Sequence, residues 1–343
     1  MPLLPASAFR STPARGALYA IDRSDVPLRG PMTQSSVVPL LRIGTRASPL
    51  ALLQAEEVRT RLVAAHGCDP ASIEIHPIRT SGDKIQDRPL AEAGGKGLFT
   101  KEIEDALLEG AVDIAVHSAK DVPTWLPDGL VLIATLARED VRDVFISPRA
   151  KTLATLAPGA VVGTASLRRQ AMVMKLRPDL KVVSFRGNVQ TRLRKLDEGE
   201  VHATLLALAG LNRLGRADIA TEILSTDDFL PAAGQGAITV EARAGDTRTY
   251  DLLARINDPD TATALEAERA FLAVLDGSCR TPIAGHARVE GNSVRFRGMI
   301  LRPDGSESHE TERAGARLDA VAMAANAGAE LKGRAPPDFF QEH

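Results

Sequence analysis

An acid and a base directly follow an apolar segment in the first half of the chain. In DIAVHSAKDVP (113–123), Lys120 and Asp121 come at the end of this segment, and Pro123 then ends regular structure. The spacing puts a carboxylate at the end of a strand, where Asp121 could act as a general acid or base or stabilise a cation. A Lys–Asp pair is also common in an ordinary turn, and the spacing alone does not separate the two.

A second group of candidate residues is strongly cationic. Residues 163–195 contain nine Lys or Arg residues and one acid, Asp179. Arg168 and Arg169 lie in the predicted first turn of a helix, after a strand and a run of small residues that includes Ser166. Backbone N–H groups and the helix dipole favour anions at such a helix start. The sequence therefore predicts an anion site there.

The segment RGN repeats this arrangement further along the chain. We expect Arg186 to end a strand, Gly187 to form the turn and Asn188 to cap the next helix, with Arg192 one turn further on. Guanidinium groups bind carboxylates and phosphates alike. Because ligands of open α/β folds bind beyond the carboxyl ends of the strands, these arginines are candidate ligand-binding residues.

The other cations of this segment predict no site. We expect Lys175, Lys181, Arg194 and Lys195 to lie on solvated helix faces. A nucleic-acid site needs stacking aromatics among its charges, and Phe185 is the one aromatic residue in the segment. The pattern therefore argues against nucleic-acid binding.

The glycine-rich segment GGKGLFTKEIE (94–104) does not match a nucleotide-binding loop. It lacks the GxxxxGK[ST] spacing, and no GxGxxG follows a predicted strand, so neither ATP nor NAD is supported. We expect a flexible hinge or lid, with Lys96 as an additional cation. The seven histidines form no HExxH-like cluster, so the sequence predicts no metal site.

Cys279 lies in a loop of small residues, LDGSCRTPIAG (275–285), beside Arg280. A neighbouring cation in an exposed loop favours the thiolate, whereas a small buried cysteine is the commoner case, so both interpretations stay open. The other cysteine, Cys68, is far away in the sequence and forms no CxxC pair with it. This usage favours a reducing compartment.

Length and composition indicate a soluble globular protein of two or three domains. The chain has 343 residues, 44% hydrophobic and 25% charged, with a net charge of −2. No stretch approaches the roughly 20 apolar residues that a membrane span requires. Residues 1–39 are rich in arginine, serine and proline, which fits either an organelle transit peptide or an overextended reading frame whose true start is Met32. We favour a disordered or non-native extension.

The elements that must position these residues alternate from Leu41 onward between short apolar runs and amphipathic helices, as in parallel α/β structure. Ser48 is predicted to cap a helix that begins at Pro49 and ends at Gly67. AITVEAR (237–243) follows a second run of such units, so we expect it to return to the first sheet. The predicted strands are LLRIGTR, IEIHPIRT, VDIAVHS, LVLIATL, DVFIS, AVVGT, KVVSF, HATLLAL and AITVEAR.

This pattern predicts three domains behind the N-terminal extension. Residues 40–138 and 237–256 form domain 1, residues 139–236 form the anion-binding domain 2, and residues 257–343 form a small α+β domain 3 that carries Cys279. Two crossings between the first two domains permit a cleft.

Taken together, the segments that carry this chemistry resemble those of the porphobilinogen deaminase family. The similarity runs from about Leu41 to the C-terminal helix, in family order, and a series of this length is highly specific. The matching segments are LRIGTRASPLAL, TSGDKI, GGKGLFTKEIE, DIAVHSAKDVP, GTASLRRQ, RGNVQTRL, LPAAGQGAI and GSCRTPI.

The resemblance implies a fold, a cofactor and a role for each candidate residue. The fold would be α/β, with two periplasmic-binding-protein-like lobes around a cleft and a small C-terminal α+β domain. Cys279 would hold a dipyrromethane cofactor through a thioether, and Asp121 would be the catalytic acid. Residues implied to bind the cofactor are Lys120, Ser166, Arg168, Arg169, Arg186 and Gly187. Residues implied to bind substrate are Arg46, Ser48, Lys96, Arg192 and Arg213.

The implied activity is the stepwise condensation of porphobilinogen, with loss of ammonia, to hydroxymethylbilane. We expect a cytoplasmic monomer that binds this small molecule and neither nucleic acid nor a membrane; if residues 1–39 are a transit peptide, the location is an organelle stroma or matrix. Two other function classes stay open. One is a receptor that holds an anion between its lobes without chemistry, and the other is a cysteine-nucleophile transferase, which needs a histidine base.

Overall fold

The computed structural model describes residues 40–84, 97–275 and 282–339. Within these ranges the strands are β1 Leu41–Arg46, β2 Ile73–Ile78, β3 Ile114–Ser118, β4 Leu130–Thr135, β5 Asp143–Ile146, β6 Val161–Gly163, β7 Lys181–Val183, β8 Ala203–Ala207, β9 Glu222–Ile223, β10 Ile238–Arg243, β11 Ile283–Glu290, β12 Ser293–Leu301 and β13 Ser308–Ala316. The helices are α1 Pro49–His66, α2 Ser81–Lys84, α3 Lys101–Leu108, α4 Leu167–Leu176, α5 Val189–Asp197, α6 Leu208–Arg213, α7 Thr247–Ala254, α8 Pro259–Val274 and α9 Ala320–Arg334.

The first sheet has the order β2-β1-β3-β10-β4. β1 pairs in parallel with β2 and β3, whereas β10 runs antiparallel to β3 and β4. The prediction that residues 237–243 return to the first sheet is therefore confirmed. The strands carry near-continuous apolar runs, and side chains such as Ile43, Val116 and Val240 pack against Val58 of α1 in one core.

Helix α1 begins and ends where the sequence predicts. The Ser48 side chain accepts a hydrogen bond from the Ala51 N–H, Pro49 fills the first helical position, and Gly67 ends the helix with φ = +62°. The cap fixes the turn between β1 and α1 at the carboxyl end of the sheet.

The second sheet has the order β7-β6-β8-β5-β9. β6 is parallel to β7 and β8, and β5 is antiparallel to β8 and β9. The chain passes from the first sheet to the second through residues 136–142, here called the first connection. It returns through residues 224–237, here called the second connection. These connections join the elements that carry the candidate residues.

The third sheet, β11-β12-β13, is antiparallel and packs against α8 and α9 through a core that includes Phe271, Phe296 and Leu331. Its Ala284 and Met299 also enter the core of the second sheet. The predicted fold class, α/β with a small C-terminal α+β part, is confirmed. The exact domain boundaries remain predictions, and residues 1–39 lie outside the described ranges.

In the part of the chain that the structure covers, no helix has the length and apolar character needed to cross a membrane.

Candidate active site

The central part of the first sheet delivers Lys120 and Asp121 to one end of the sheet. β3 lies between β1 and β10 and is buried along most of its length. A 3-10 turn, Ala119–Asp121, follows directly; Ala119 is buried, while the side chains of Lys120 and Asp121 reach solvent. The predicted placement of an acid and a base at a strand end is confirmed.

A small cavity opens beside this turn, at the carboxyl ends of β1 and β3. Its lining includes Asp121 together with Arg46 and Ser48, two residues that the family resemblance implies to bind substrate. The Arg46 guanidinium lies 4.2 Å from the centre of the Phe99 ring, which also lines the cavity. The Ser48 hydroxyl accepts the Ala51 N–H at 3.4 Å, so Ser48 has a capping role as well.

Arg168 and Arg169 share one buried carboxylate, that of Asp143 at the start of β5. Arg168 Nη2 lies 2.7 Å from Asp143 Oδ2, and Arg169 Nη2 lies 2.7 Å from Oδ1. The other Nη groups donate to the carbonyls of Leu230, at 2.8 Å, and Leu205, at 2.9 Å. The three charged side chains are at most 7% exposed, so two guanidinium groups are fixed at the start of α4.

This trio keeps a net positive charge. Burial raises the pKa of the Asp143 carboxyl, but the charges of Arg168, Arg169 and Lys120 outweigh burial and lower that pKa to about 2. Asp143 is therefore ionised at neutral pH and cancels one of the two adjacent arginine charges.

The start of α5 has the turn and the cap that the sequence predicts. Asn188 Oδ1 accepts the Thr191 N–H at 2.8 Å. Gly187 has φ = +123°, and a Cβ at this position would lie 2.6 Å from Thr191 Cγ2. Arg192 Nε donates to the Gly187 carbonyl at 2.9 Å. Glycine is therefore required at 187 both for the backbone conformation and for the contact with α5.

Arg186 and Arg192 extend the positive region toward Asp121. Arg186 was predicted to end a strand, but β7 ends at Val183 and Arg186 lies in the following loop. Burial, together with the charges of Arg169 and Arg186, lowers the pKa of Arg192 to about 10, although the charge of Asp121 opposes the shift. These groups are close enough to interact electrostatically.

Lys120 interacts electrostatically with Asp121 and also with the buried group of Asp143, Arg168 and Arg169. Its Nζ donates to Gln235 Oε1 at 3.2 Å. The side chain reaches solvent, yet the surrounding protein removes much of its hydration. This desolvation, together with the charge of Arg169, lowers the Lys120 pKa to about 8, although Asp121 and Asp143 oppose the shift.

The charges of this site do not balance within the described ranges. The cations Lys120, Arg168, Arg169 and Arg192 outnumber the acids with which they interact, Asp121 and Asp143. Among the described residues, the buried Arg168 Nε has no hydrogen-bond partner. A ligand with several carboxylates would satisfy both the excess charge and this donor.

Arg213 has partners of another kind. Its Nε lies 3.3 Å from Glu57 Oε2 of α1, and its Nη2 donates to the Gly236 carbonyl at 3.1 Å. The side chain therefore joins α6 to α1 and to the second connection, and it does not line the cavity beside Asp121. Its substrate-binding role remains a prediction.

Two family models match the chain. The model described as the porphobilinogen deaminase dipyromethane cofactor binding domain covers residues 41–251, and the porphobilinogen deaminase C-terminal domain covers residues 262–333. The chain belongs to the porphobilinogen deaminase family. The resemblance drawn from the motifs is thereby confirmed.

Relatives agree with this assignment. The chain is 65% identical over 301 residues to the porphobilinogen deaminase of Nitrobacter winogradskyi, covering 88% of this chain and 95% of that protein. It is 57% identical over 308 residues to the chloroplastic porphobilinogen deaminase of Oryza sativa subsp. japonica, covering 88% and 86%. A periplasmic substrate-binding protein of an ABC transporter from Coxiella burnetii is similar with a TM-score of 0.40 and 16% identity, covering 65% of this chain and 94% of that one.

The charged residues of the site fit the cofactor of the porphobilinogen deaminase family. All of them lie within residues 41–251, the dipyrromethane-binding part of the chain. The excess of cations suits a cofactor that carries acetate and propionate groups, as does the Arg168 Nε, which has no partner in the part of the chain that the structure describes. Two predicted residues, Lys96 and Cys279, lie outside the described ranges.

Sequence reasoning missed two residues of this site. Asp143 was included in the predicted strand DVFIS, and an acid that opens an otherwise apolar strand was the available signal. Gln235 was noted only as part of LPAAGQGAI. Its position between two glycines marked a tight turn but did not indicate a contact with Lys120.

Proposed function

We propose that this chain catalyses the stepwise head-to-tail condensation of four porphobilinogen molecules on a dipyrromethane primer, releasing ammonia and yielding hydroxymethylbilane. The activity is that of a hydroxymethylbilane synthase, a transferase of tetrapyrrole, porphyrin and haem biosynthesis. One observation carries the proposal. The Asp121 carboxylate lies in a cavity and interacts with a group of cations, Arg168 and Arg169 among them buried, that outnumbers the acids beside it, within the cofactor-binding part of the family.

Asp121 is the proposed catalytic residue. Loss of ammonia from porphobilinogen leaves a positively charged methylene-pyrrole, and a carboxylate next to the pyrrole nitrogens stabilises that charge. The free pyrrole α-carbon that attacks this cation must then lose its proton, and Asp121 can accept it. Because its side chain reaches the cavity, it is available for both roles.

The dipyrromethane cofactor supplies the free pyrrole α-carbon that attacks the substrate. The proposed ligands of its carboxylates are Lys120, Ser166, Arg168, Arg169, Arg186 and Gly187. Arg168 and Arg169 are bound to Asp143, and Lys120 interacts with it electrostatically. The Ser166 hydroxyl caps α4 by accepting the Arg169 N–H at 3.4 Å. Fixed guanidinium groups hold the rings in place without reorganisation at the moment of reaction.

Cys279 is the proposed attachment point, through a thioether. The described residues that follow its loop support this proposal. Gly285 N–H donates to the Pro231 carbonyl at 3.0 Å, and the preceding carbonyl, that of Leu230, accepts from Arg168. The strand that follows the cysteine is thus tied to the segment that holds a proposed cofactor-binding arginine.

Substrate carboxylates are assigned to a second set of residues. The proposed substrate ligands are Arg46, Ser48, Lys96, Arg192 and Arg213. Arg46 and Ser48 share the cavity with Asp121, and Arg192 interacts electrostatically with Asp121. A growing chain adds an acetate and a propionate with each ring, so it needs cations on more than one side of the acid.

We also propose the organisation that the sequence predicts. The domain boundaries are residues 40–138 with 237–256, residues 139–236 and residues 257–343, and each of these parts contains one of the three sheets. The protein would act as a cytoplasmic monomer on this small molecule, without nucleic acid or membrane. Sedimentation of the purified chain tests the monomer.

The intact mass of the denatured full chain, before and after incubation with porphobilinogen, tests the main proposal. We expect an excess equal to a dipyrromethane, and then a ladder of added pyrrole units accompanied by ammonia. Cys279→Ala should remove the excess, whereas the control Cys68→Ala should retain it. A receptor would release no ammonia, and that outcome would replace the proposed reaction with anion binding.

A further inference from the structure

The end of the second connection forms a wall behind the Lys120–Asp121 turn. The Ala119 N–H donates to the Ala237 carbonyl at 3.0 Å. Gly234 has φ = +73°, and a Cβ there would lie 2.9 Å from Lys120 N and 3.0 Å from the Ala119 carbonyl carbon. The backbone of the second connection is therefore in direct contact with the turn that carries the proposed catalytic acid.

Gln235 lies in the middle of this wall and is fully buried. Its Oε1 accepts from Lys120 Nζ at 3.2 Å, and its Nε2 donates to the Val141 carbonyl at 2.7 Å. Its own carbonyl accepts from Arg138 Nε at 2.9 Å. One residue of the second connection is thus hydrogen-bonded to Lys120 and, at two points, to the first connection.

Gly236 completes the contact between the two connections. It has φ = +86°, and a Cβ at this position would lie 2.3 Å from the Glu139 carbonyl oxygen. The Glu139 N–H in turn donates to the Gly236 carbonyl at 3.2 Å. The two glycines let the backbone approach the Lys120 turn on one side and the first connection on the other, and Gln235 lies between them.

We propose that Gln235 is a positioning residue for Lys120, which holds the ammonium ready for a carboxylate of the cofactor and ties it to both connections between the first two sheets. This inference rests on the proposed function, which assigns Lys120 to the cofactor. The amide oxygen accepts from the ammonium without cancelling its charge. The amide nitrogen must donate to Val141, so the oxygen is the end that faces Lys120.

Neither a carboxylate nor an apolar side chain at 235 could both accept from Lys120 and donate to the Val141 carbonyl. A carboxylate at 235 would neutralise Lys120 and would place an acceptor against the Val141 carbonyl, whereas an apolar side chain would remove both hydrogen bonds. The charged groups that face Lys120 are Asp121, Asp143, Arg168 and Arg169. Since Asp143 is already paired with the two arginines, Gln235 is a neutral acceptor that leaves the positive charge of Lys120 for the ligand.

The titration of Lys120 tests the proposal. Pulsed acylation of the full chain at increasing pH, followed by peptide mass analysis, gives the midpoint pH of the Lys120 titration. The exposed Lys175 is the internal reference. Gln235→Glu should raise the midpoint by about 1–3 pH units, because an opposite charge favours the ammonium. Gln235→Met should lower it, and Gln170→Met should leave it unchanged. Midpoints that move in the same direction in both Gln235 variants, or in neither, overturn the proposal.

A second measurement, an NMR titration, observes Gln235 in the unsubstituted protein and uses the Gln235 variants only for assignment. In the ¹⁵N-labelled full chain, the Gln235 side-chain amide resonance is assigned by its loss from the spectra of Gln235→Met or Gln235→Glu. Its chemical shift should change with pH, with the same midpoint that acylation gives for Lys120. The titration should disappear in Lys120→Met, and a resonance that ignores Lys120 contradicts the contact. These readouts need no turnover. Failure of the proposed function would appear separately, as absent ammonia and an absent mass excess.

Discussion

At the scale of single residues, the two carboxylates of the site have separate tasks. Asp143 is fully buried, and each of its oxygens is bound by an arginine. Asp121 reaches the cavity and is the carboxylate that a pyrrole nitrogen can approach. The first acid fixes the cations, and the second is available to the proposed reaction.

Asp121→Asn should slow ammonia release by about 10²–10⁴-fold, because the amide has no negative charge to stabilise the cation and does not accept a proton. The dipyrromethane mass excess should persist, since the proposed attachment depends on Cys279. Initial rates of ammonia release, with intact mass in parallel, check this expectation. Asp128→Asn, on the exposed loop after the turn, is the control and should react at the normal rate. A loss of less than about tenfold in Asp121→Asn would argue for another acid.

Asp143→Asn should lower the free energy of unfolding by about 3–5 kcal/mol, since it leaves two buried guanidinium groups without their carboxylate. Urea unfolding followed by circular dichroism measures the change. Asp179→Asn removes a carboxylate that is paired with Arg177 at the surface and should have little effect. Equal losses in the two variants would show that burial of the Asp143 group does not matter.

The same carboxylate predicts a pH dependence of stability. Its pKa is about 2 in the folded protein and about 3.9 in an unfolded chain. Because the folded value is the lower one, ionised Asp143 stabilises the protein above about pH 4, and this contribution, about 2 kcal/mol, is lost as the pH falls from about 4 to about 2. The difference in unfolding free energy between the unsubstituted protein and Asp143→Asn should therefore shrink below about pH 4. A constant difference would refute the assignment.

At the scale of elements, α4 and α5 position their arginines in the same way. Each helix follows a strand of the second sheet, begins at a capping side chain, Ser166 or Asn188, and carries an arginine in its first turn. The cap satisfies backbone N–H groups and fixes the direction of the helix, so the guanidinium groups of Arg169 and Arg192 meet at the same end of the sheet.

Gly187→Ala should disturb α5 and weaken cofactor binding. A Cβ at 187 would lie 2.6 Å from Thr191 Cγ2, and φ is +123°. Gly199→Ala is the matched control at the other end of α5, since it has φ = +79° and nothing within 4 Å of its Cβ. Both variants should lose about 1 kcal/mol of stability through backbone strain. A lower fraction of cofactor-loaded chains, measured by intact mass, should appear for Gly187→Ala alone; equal loading would show that the Thr191 contact is not needed.

Helix starts were predictable because their determinants are local. Ser48 with Pro49 and Asn188 are caps that the sequence predicts within a few residues, and both are in place. Ser166, which the sequence analysis noted only as a small residue before α4, caps that helix as well. The end of β7 was predicted less well. The sequence extends the strand to Arg186, but the pairing with β6 ends at Val183, and where pairing stops depends on the neighbouring strand.

The partners of the charged residues could not be predicted in this way. Asp143 precedes Arg168 by 25 residues, and Gln235 follows Lys120 by 115. These pairs form because β5 and β8 are neighbours and because the second connection passes behind β3, and neither fact is visible in local spacing. The sequence identified the cations, while the sheet order determines which of them are neutralised.

At the scale of the whole molecule, one buried carboxylate links all three sheets. Glu268 of α8 accepts two guanidinium bonds from Arg138 of the first connection, at 2.7 and 2.9 Å. It also accepts the N–H of Gly234 in the second connection, at 2.6 Å, and that of Ala287 in β11, at 2.7 Å. Any motion between the first two sheets must therefore occur around a point that the third sheet holds.

Glu268→Gln should destabilise this link at every contact. The amide leaves the Arg138 charge unpaired, and its –NH₂ group faces N–H donors that the carboxylate accepts. The free energy of unfolding should therefore fall by about 3–5 kcal/mol. Hydrogen exchange should accelerate in the first connection, in residues 233–237 and in β11 together. Glu266→Gln, on the exposed face of the same helix, should change neither quantity. Faster exchange in β11 alone would mean that Glu268 merely anchors the third sheet. Faster exchange in all three segments would mean that the same carboxylate also sets the rest position of the connections, and hence of the Lys120 turn packed against Gly234.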